Sequence, residues 1–515
     1  MKLAKALELR AILKRSARAA LPIILLFILG VSLRIALYFP LAAFQLDSDA
    51  VIAGLCGFRV LDGSHPVFLP GGIRIGAASC YVAAAYFSLL GHGRIGLALT
   101  GLTWNLLYLA SSFLFLKSAV SPRLLLPAFL FVVFPTEQFM TVSYAPWGYG
   151  EIMCVCAGTL WLAAEWRKKP QIITLLALGL AIGLGVWFSL QTIMITVPAL
   201  AWVALQRRTA FFREALIAIP GVFVGALPFI MANVGHGFPT LTQNFYSQTV
   251  SNAAQAISNF VWFGTNLLPK LLFRFPASPD WIIMSVAFVL VAIGAAVALR
   301  KPANGKEGGL IDLLPLLVLT LVACTAIFSL SAAGIIRGWT VRYIAPLYLV
   351  IPIFYAIGLT RLWRWSKVGT ATIAAALIIP NILTYGLPGS AQRSALTAEL
   401  QADVRLRDQL SAHHVRLLYG DYLWVYHFNF DSREQIAGVP SQRRYDYYKY
   451  GDRLGAAPVR WALLGTLQDV TIWSRAVRVP GTILKSGNLW TFIAERRTQN
   501  AAQLLSTLDE SRLNE

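Results

Sequence analysis

The chain has 515 residues, of which 57% are apolar and only 13% are charged, and its formal net charge is +20. A soluble globular protein carries charge on about a quarter of its residues because its surface must be solvated, so this composition excludes an ordinary soluble fold. Much of the positive charge lies in short clusters between apolar segments, which is typical of cytoplasmic loops and argues against nucleic-acid binding.

About eleven apolar segments are predicted to cross the membrane as helices, because lipid offers no hydrogen-bond partners to an exposed backbone. In chain order they are about 21–39, 95–116, 124–141, 151–165, 171–188, 190–206, 212–232, 281–299, 311–330, 343–360 and 368–386. The sequence therefore predicts an all-α polytopic membrane protein.

The basic clusters predict the orientation of these helices. Six basic residues precede the first segment, and if each later cluster is also cytoplasmic, consecutive clusters are separated by two spans. This parity predicts a cytoplasmic N-terminus and an extracytoplasmic C-terminus. The apolar segment 76–90 breaks the parity if it is counted as a span, so it is predicted to be a helix lying on the outer membrane surface.

Two domains follow from this topology. Residues 1–386 are predicted to form the membrane domain, with external loops over about 40–94, 142–150 and 233–280, and residues 387–515 a small extracytoplasmic α+β domain. The five cysteines lie in or beside apolar helices and are predicted to be buried, inert thiols rather than a disulfide framework: Cys56, Cys80, Cys154, Cys156 and Cys324.

Acidic residues are scarce, so their positions are informative. Asp47 and Asp49 open the first external loop, where a carboxylate can act as a general base on a hydroxyl group or hold a cation. Alternatively, Asp49 caps a helix over 50–61. Glu151 lies at the second external loop beside Trp147 and Tyr149, either as a functional carboxylate or as a side chain that reaches the interface.

Three arginines lie near the outer ends of spans, against the usual charge bias: Arg34, Arg337 and Arg342. A guanidinium group there can bind a lipid phosphate in bidentate fashion, or can pair with an external acid. In the tail, Tyr422, Trp424 and Tyr426 either contact a carbohydrate or belong to the core. The sequence has no nucleotide-binding phosphate loop, so use of cytoplasmic ATP is not supported. If the protein is an enzyme, its donor substrate would therefore reach it through the membrane in an already activated form.

Several short segments resemble the polytopic glycosyltransferases of the GT-C fold. They are Asp47-Ser48-Asp49 with Leu61-Asp62-Gly63, Tyr149-Gly150-Glu151, Arg342-Tyr343 with Pro346-Leu347, and Tyr419-Gly420-Asp421-Tyr422. Three features depart from the family pattern. Ala50 follows Asp49 where relatives usually have Glu, no acid occurs near 72–79, and Gly150 stands in place of a proline.

The resemblance implies a location in a bacterial inner (plasma) membrane. It also implies transfer of a sugar from a polyprenyl-phosphate donor to an envelope acceptor on the extracytoplasmic face, with membrane lipids as further partners. Asp49 or Asp47 would be the base and Glu151 would orient it or the acceptor. The remaining roles implied are donor-phosphate binding by Arg342, Arg337 and Arg34, and acceptor or sugar contact by Tyr149, Trp147 and Tyr343. No metal ligands are predicted, and the only cofactor left open is a divalent cation.

Two other functional classes remain open. A lipid or glycolipid transporter would show an inverted repeat or broken helices near the bilayer midplane, and Gly183-Leu184-Gly185 could unwind such a helix. A non-catalytic envelope scaffold derived from the same family is the third class.

Overall fold

The computed structural model describes residues 21–38, 48–70, 75–144, 148–234, 238–242, 250, 252–272, 280–300, 312–331, 341–384, 390–441, 448, 459–486, 489–495, 497–498, 503–506 and 508. The chain forms two compact units. The helical unit consists of Met1–Tyr38 and Leu102–Gly386, and the mixed unit of Phe39–Gly101 and Leu387–Glu515. The predicted first external loop therefore belongs to the same unit as the C-terminal residues, whereas the sequence analysis grouped it with residues 1–386.

The helices of the first 386 residues match the predicted spans. Outside the mixed unit they are Leu21–Ala36, Pro122–Val133, Glu137–Tyr144, Tyr149–Lys168, Ile172–Phe188, Ile193–Arg207, Phe211–Asn233, Pro239–Thr242, Ala253–Trp262, Leu268–Leu272, Asp280–Arg300, Leu314–Leu330, Val341–Ile344, Ile351–Trp363 and Lys367–Thr384, and helix Arg94–Ala119 runs across the unit boundary. Short π-helical and 3₁₀ segments lie at Arg34–Tyr38, Leu190–Thr192, Phe263–Leu267 and Ala345–Leu349. Each predicted span coincides with one helix or with a helix interrupted by a short break.

Helix length and hydropathy together single out a smaller set. Among the described residues, two helices are both long and apolar enough to cross a membrane, Arg94–Ala119 and Phe211–Asn233. A bent pair, Val341–Leu349 followed by Ile351–Trp363 at 50°, gives a third if it is one broken span. The other apolar helices are shorter, including the three over Leu21–Ala36, Ile172–Phe188 and Leu314–Leu330.

Two helices of the helical unit approach each other backbone to backbone. On Ile172–Phe188, a Cβ at Gly179 or Gly183 would lie 1.9 or 2.2 Å from a carbonyl oxygen of Phe211–Asn233. Gly221 and Gly225 meet the first helix in the same way. Both pairs have the small-xxx-small spacing that lets membrane helices pack closely. The first helix is continuous through Gly183 and Gly185, so the unwinding that a transporter would use does not occur there.

The mixed unit contains a five-stranded sheet in the order β2-β1-β3-β5-β4. Its strands are β1 Val415–Gly420, β2 Ala437–Pro440, β3 Arg460–Gly465, β4 Gly481–Ser486 and β5 Leu489–Ala494, and β1 pairs in parallel with both β2 and β3. Strands β3, β5 and β4 pair antiparallel. The C-terminal helices are Ser390–Ala412, Tyr422–Asp431 and Leu467–Val477. The predicted α+β character of this region is confirmed.

The sheet buries apolar side chains on both faces because alternate residues of a strand point in opposite directions. On one face, Leu418 packs with Leu406 and Leu410 of helix Ser390–Ala412. On the other face, Leu417 and Tyr419 join a second apolar cluster. This cluster includes residues of Phe39–Gly101, here called the first-loop segment. The segment is therefore part of the hydrophobic core of the mixed unit.

The first-loop segment contains two helices, Ser48–Leu61 and Ala78–Leu90, and the second coincides with the predicted surface helix. Cys56 and Cys80 lie on these helices and form a disulfide, with their Cα atoms 5.2 Å apart. The prediction that all five cysteines are unpaired thiols is wrong for this pair, because packing of the two helices brings together residues that are 24 positions apart. Cys154, Cys156 and Cys324 are free.

Removing the disulfide is expected to destabilise the mixed unit. A crosslink that closes a loop of this length restricts the unfolded chain and typically contributes about 3 kcal/mol. Cys56→Ser with Cys80→Ser should therefore lower the thermal unfolding midpoint of the purified protein, measured by differential scanning fluorimetry. A reducing agent should lower the midpoint of the wild type and leave that of the double variant unchanged. An unchanged midpoint in the double variant would show that the crosslink is dispensable for stability.

Candidate active site

The helix Ser48–Leu61, here called the loop helix, carries Asp49 in its first turn. The hydroxyl of Tyr422 donates a hydrogen bond to a carboxylate oxygen of Asp49. Tyr422 begins the helix Tyr422–Asp431, here called the clamp helix, which follows β1 of the sheet. The side chain of Tyr422 is buried, and that of Asp49 is half-buried. The first residue of the clamp helix therefore orients the carboxylate of Asp49, the predicted catalytic base.

The clamp helix packs closely on the loop helix through aromatic side chains. The rings of Phe58 and Phe430 are stacked with their centroids 5.2 Å apart and their planes 4° from parallel. A Cβ at Gly54 would lie 2.4 Å from the ring of Phe430, so this position has room only for glycine unless the ring moves. The hydroxyl of Tyr448 donates to the carbonyl of Ile52 at 2.9 Å. These contacts hold the backbone around Asp49 in one position.

Two ion pairs flank the same packing. Arg59 at the end of the loop helix pairs with Glu434, just beyond the clamp helix. Arg94 binds both carboxylate oxygens of Asp431, with Nε 3.0 Å from Oδ1. All four side chains are largely screened from solvent, and a two-point guanidinium–carboxylate contact is among the stronger polar interactions in proteins. Polar as well as apolar contacts therefore hold the clamp helix against the first-loop segment.

The helical unit brings Arg342 together with both predicted sugar-contacting tyrosines. The guanidinium carbon of Arg342 lies 5.2 Å from the ring centroid of Tyr343 and 5.9 Å from that of Tyr149. Nη2 of Arg342 is also 3.3 Å from the hydroxyl of Tyr343. Aromatic faces stabilise a cation at this range. The arginine therefore lies against two aromatic rings.

Breaks in two helices position this cluster. Helix Ile172–Phe188 ends at Ser189, and a 3₁₀ turn carries Gln191, whose side-chain amide donates to the carbonyl of Arg342 at 2.7 Å. Arg342 lies at the start of the bent pair that begins at Val341. Irregular backbone within a membrane protein is tolerated where it is buried in protein or lines a polar cavity. The breaks thus bring Gln191 to the backbone of Arg342 and fix the position from which its side chain starts.

Glu151 is fully buried, in the first turn of helix Tyr149–Lys168. A carboxylate in the first turn is favoured by the helix dipole. The turn before it is built on two glycines. Gly148 has φ of +97°, and a Cβ at Gly150 would lie 2.7 Å from the carbonyl oxygen of Ser143. Gly150 therefore fits a close backbone contact.

Arg34 is surrounded by hydrogen-bond acceptors of the protein itself. It is fully buried, and its guanidinium group donates to the side chain of Asn105 and to the carbonyls of Gly30 at 3.1 Å and Val132 at 3.0 Å. Val132 lies in the last turn of helix Pro122–Val133, where carbonyls lack partners within the helix. These contacts occupy the guanidinium group, and they favour a role in packing over the predicted binding of phosphate.

Three predicted residues lie outside the described part of the chain: Asp47, Trp147 and Arg337. Their proposed roles remain predictions. A metal site also remains untested, since the described residues contain no group of three or more His, Cys, Asp or Glu side chains placed to hold an ion.

Sequence reasoning missed two contributions to the site. Tyr422 was considered as a carbohydrate contact or a core residue, and its contact with Asp49 joins positions 373 apart. Asn105 links Arg34 to Ser143, whose hydroxyl accepts from the Asn105 amide at 2.9 Å. Asn105 is a polar residue in the middle of an apolar helix, and this is visible in the sequence as a sign of a functional or structural contact.

Comparison with known proteins adds evidence from structure alone. No family model and no curated protein matches the sequence. ArnT from Cupriavidus metallidurans bound to undecaprenyl phosphate is similar in structure, with a TM-score of 0.55 at 13% identity over 90% of this chain and 97% of that one. The apo state gives the same TM-score at 12% identity, with the same coverage.

A second solved structure is also similar. The archaeal oligosaccharyltransferase AglB from Archaeoglobus fulgidus, in complex with an inhibitory peptide and a dolichol-phosphate, has a TM-score of 0.50 at 10% identity, over 97% of this chain and 78% of that one. Identities this low show the fold. The chain has the GT-C fold, and the predicted fold class, a polytopic helical membrane protein with a small C-terminal α+β domain, is confirmed.

Proposed function

We propose that this protein is a membrane glycosyltransferase that moves a sugar from a polyprenyl-phosphate donor to a cell-envelope acceptor on the extracytoplasmic face. The observation that carries the proposal is Asp49 in the loop helix, held by Tyr422 within a GT-C fold. Two of the similar solved structures were determined with undecaprenyl phosphate or a dolichol-phosphate, which supports a polyprenyl-phosphate donor.

The proposed reaction uses Asp49, or Asp47, as the general base. The acceptor hydroxyl loses its proton to the carboxylate and its oxygen forms a bond to the anomeric carbon of the sugar. The bond from that carbon to the lipid phosphate breaks, and the electron pair leaves with the phosphate. Negative charge therefore grows on the phosphate, where a positioned arginine lowers the barrier. Arg342 is assigned this role.

The remaining residues orient the reactants. Glu151 is assigned to orient the acceptor or the base, and Tyr149 and Tyr343, which flank Arg342, to contact the sugar. Membrane lipids surround the protein and deliver the donor. The Cys56–Cys80 disulfide supports an extracytoplasmic location of the mixed unit, because such bonds persist in oxidising compartments.

Tyr422→Phe is expected to lower the turnover number about tenfold and to leave the KM for the acceptor nearly unchanged. The variant removes a single hydrogen bond to Asp49 and keeps the ring in its packed position, so the loss reflects the orientation of the carboxylate. Steady-state kinetics with a labelled lipid-linked sugar measures both constants. Tyr426→Phe, on the same helix, is the control and should retain wild-type turnover.

Lipid analysis of cells that lack this protein tests the proposed function. Loss of a glycan decoration together with accumulation of a polyprenyl-phosphate sugar is expected, and mass spectrometry of both would identify the sugar and the acceptor. Unchanged lipids and glycans would instead favour the scaffold alternative. A lipid-linked sugar that accumulates on the inner leaflet alone would favour the transporter.

A further inference from the structure

The mixed unit has an open cleft of about 480 Å³ at the end of the sheet where β1 and β3 begin. Nine residues line the cleft, and none of them is acidic. The polar ones are Ser411, His414, Arg416, Gln435, Arg460 and Arg497. This volume is within the range of small-molecule sites in proteins.

The three arginines come from separate parts of the sheet. Arg416 lies on β1, Arg460 begins the neighbouring strand β3, and Arg497 follows β5. Arg416 and Arg497 are exposed, and Arg460 donates to the carbonyl of His413 at 3.4 Å. Within the described ranges, none of the three guanidinium groups forms an ion pair with a carboxylate. An anion from outside the chain would relieve their mutual repulsion.

We infer that this cleft binds an anionic carbohydrate, with its carboxylate or phosphate groups on the arginines. Guanidinium groups match the planar geometry of carboxylates and the oxygens of phosphates. Ser411 and Gln435 supply a hydroxyl and an amide suited to sugar hydroxyls.

The cleft is separate from the candidate active site. It lies at the start of β1, and Tyr422 follows the other end of that strand. Six strand residues at about 3.3 Å each place the two sites roughly 20 Å apart. A ligand in the cleft therefore leaves Asp49 accessible, and the inference does not depend on sugar transfer.

Fluorescence anisotropy of a labelled tetrasaccharide of four uronic acid units, with the full-length protein in neutral detergent, tests the inference. Wild-type protein should bind this probe, and binding should weaken as the salt concentration rises. Arg416→Ala with Arg497→Ala should weaken binding about tenfold or more. The matched control, Arg405→Ala with Arg475→Ala, removes two exposed arginines of the same domain and should bind like wild type. Unlabelled maltotetraose should not compete.

Three results would overturn the inference. If the alanine pair and the control pair lose probe binding equally, the binding depends only on overall positive charge. Competition by maltotetraose would show that the cleft does not recognise the anionic groups. Displacement by dihexanoyl phosphatidylglycerol at much lower concentration than by the uronate tetrasaccharide would assign the cleft to lipid. Arg416→Lys with Arg497→Lys keeps the charge and controls for folding, and it should bind more tightly than the alanine pair.

Discussion

Asp49→Asn is expected to lower the rate of sugar transfer by about 10²–10⁴-fold, which is the usual contribution of a positioned general base. The amide keeps the size of the side chain and can still accept a hydrogen bond from the hydroxyl of Tyr422. Folding should therefore be preserved while the ability to take the acceptor proton is lost. The measurement is release of polyprenyl phosphate from a lipid-linked sugar by the purified variant.

Asp62→Asn is the matched control for this variant. Asp62 directly follows the loop helix and is exposed to solvent. It should retain wild-type turnover, because a solvated acid there has no assigned role. Wild-type turnover in Asp49→Asn would contradict the assignment of Asp49 as the base, and would transfer that role to Asp47 only if Asp47→Asn were inactive.

Arg342→Ala is expected to reduce turnover by about 10²–10³-fold, as loss of one positioned donor to a developing oxyanion typically does. Its guanidinium group lies 5.2 Å from the ring of Tyr343 and 5.9 Å from that of Tyr149. The rings remain after the substitution, so binding of the sugar should be affected less than the rate. Steady-state kinetics separates these effects, since the turnover number should fall more than the KM for the donor rises.

Two further variants make the arginine result specific. Arg342→Lys keeps one positive charge but loses the planar fork, and should have intermediate activity. Arg364→Ala removes an exposed arginine of the same unit and should have none of these effects. An Arg342→Ala variant with normal turnover would remove the phosphate-stabilising role.

The membrane helices were predictable because their signal is local. Each span is a run of apolar residues, and all predicted spans coincide with observed helices to within a few residues. The predicted span over about 124–141 ran through the break over Phe134–Thr136, although Pro135 and the following Glu137 are local signals of a break. The spacing of Gly179 with Gly183 and of Gly221 with Gly225 is also a local signal, and it marks a close approach of two helices.

The site was only partly predictable, because its contacts join distant parts of the chain. The structure brings Arg342 beside Tyr149 and Tyr343, although Tyr149 and Arg342 are separated by most of the helical unit in the sequence. Nothing local pairs Asp49 with Tyr422 or Cys56 with Cys80, because both contacts depend on tertiary packing. The burial of Arg34 likewise depends on which carbonyls meet it.

The central claim is tested most directly by reconstituting the purified protein in liposomes with the polyprenyl-phosphate sugar that accumulates in cells lacking it, together with envelope acceptor from those cells. The account predicts release of free polyprenyl phosphate and appearance of the sugar on the acceptor, in equal amounts, by mass spectrometry. Intact lipid-linked sugar that only changes leaflet, or that stays unaltered with active, folded protein, would contradict it.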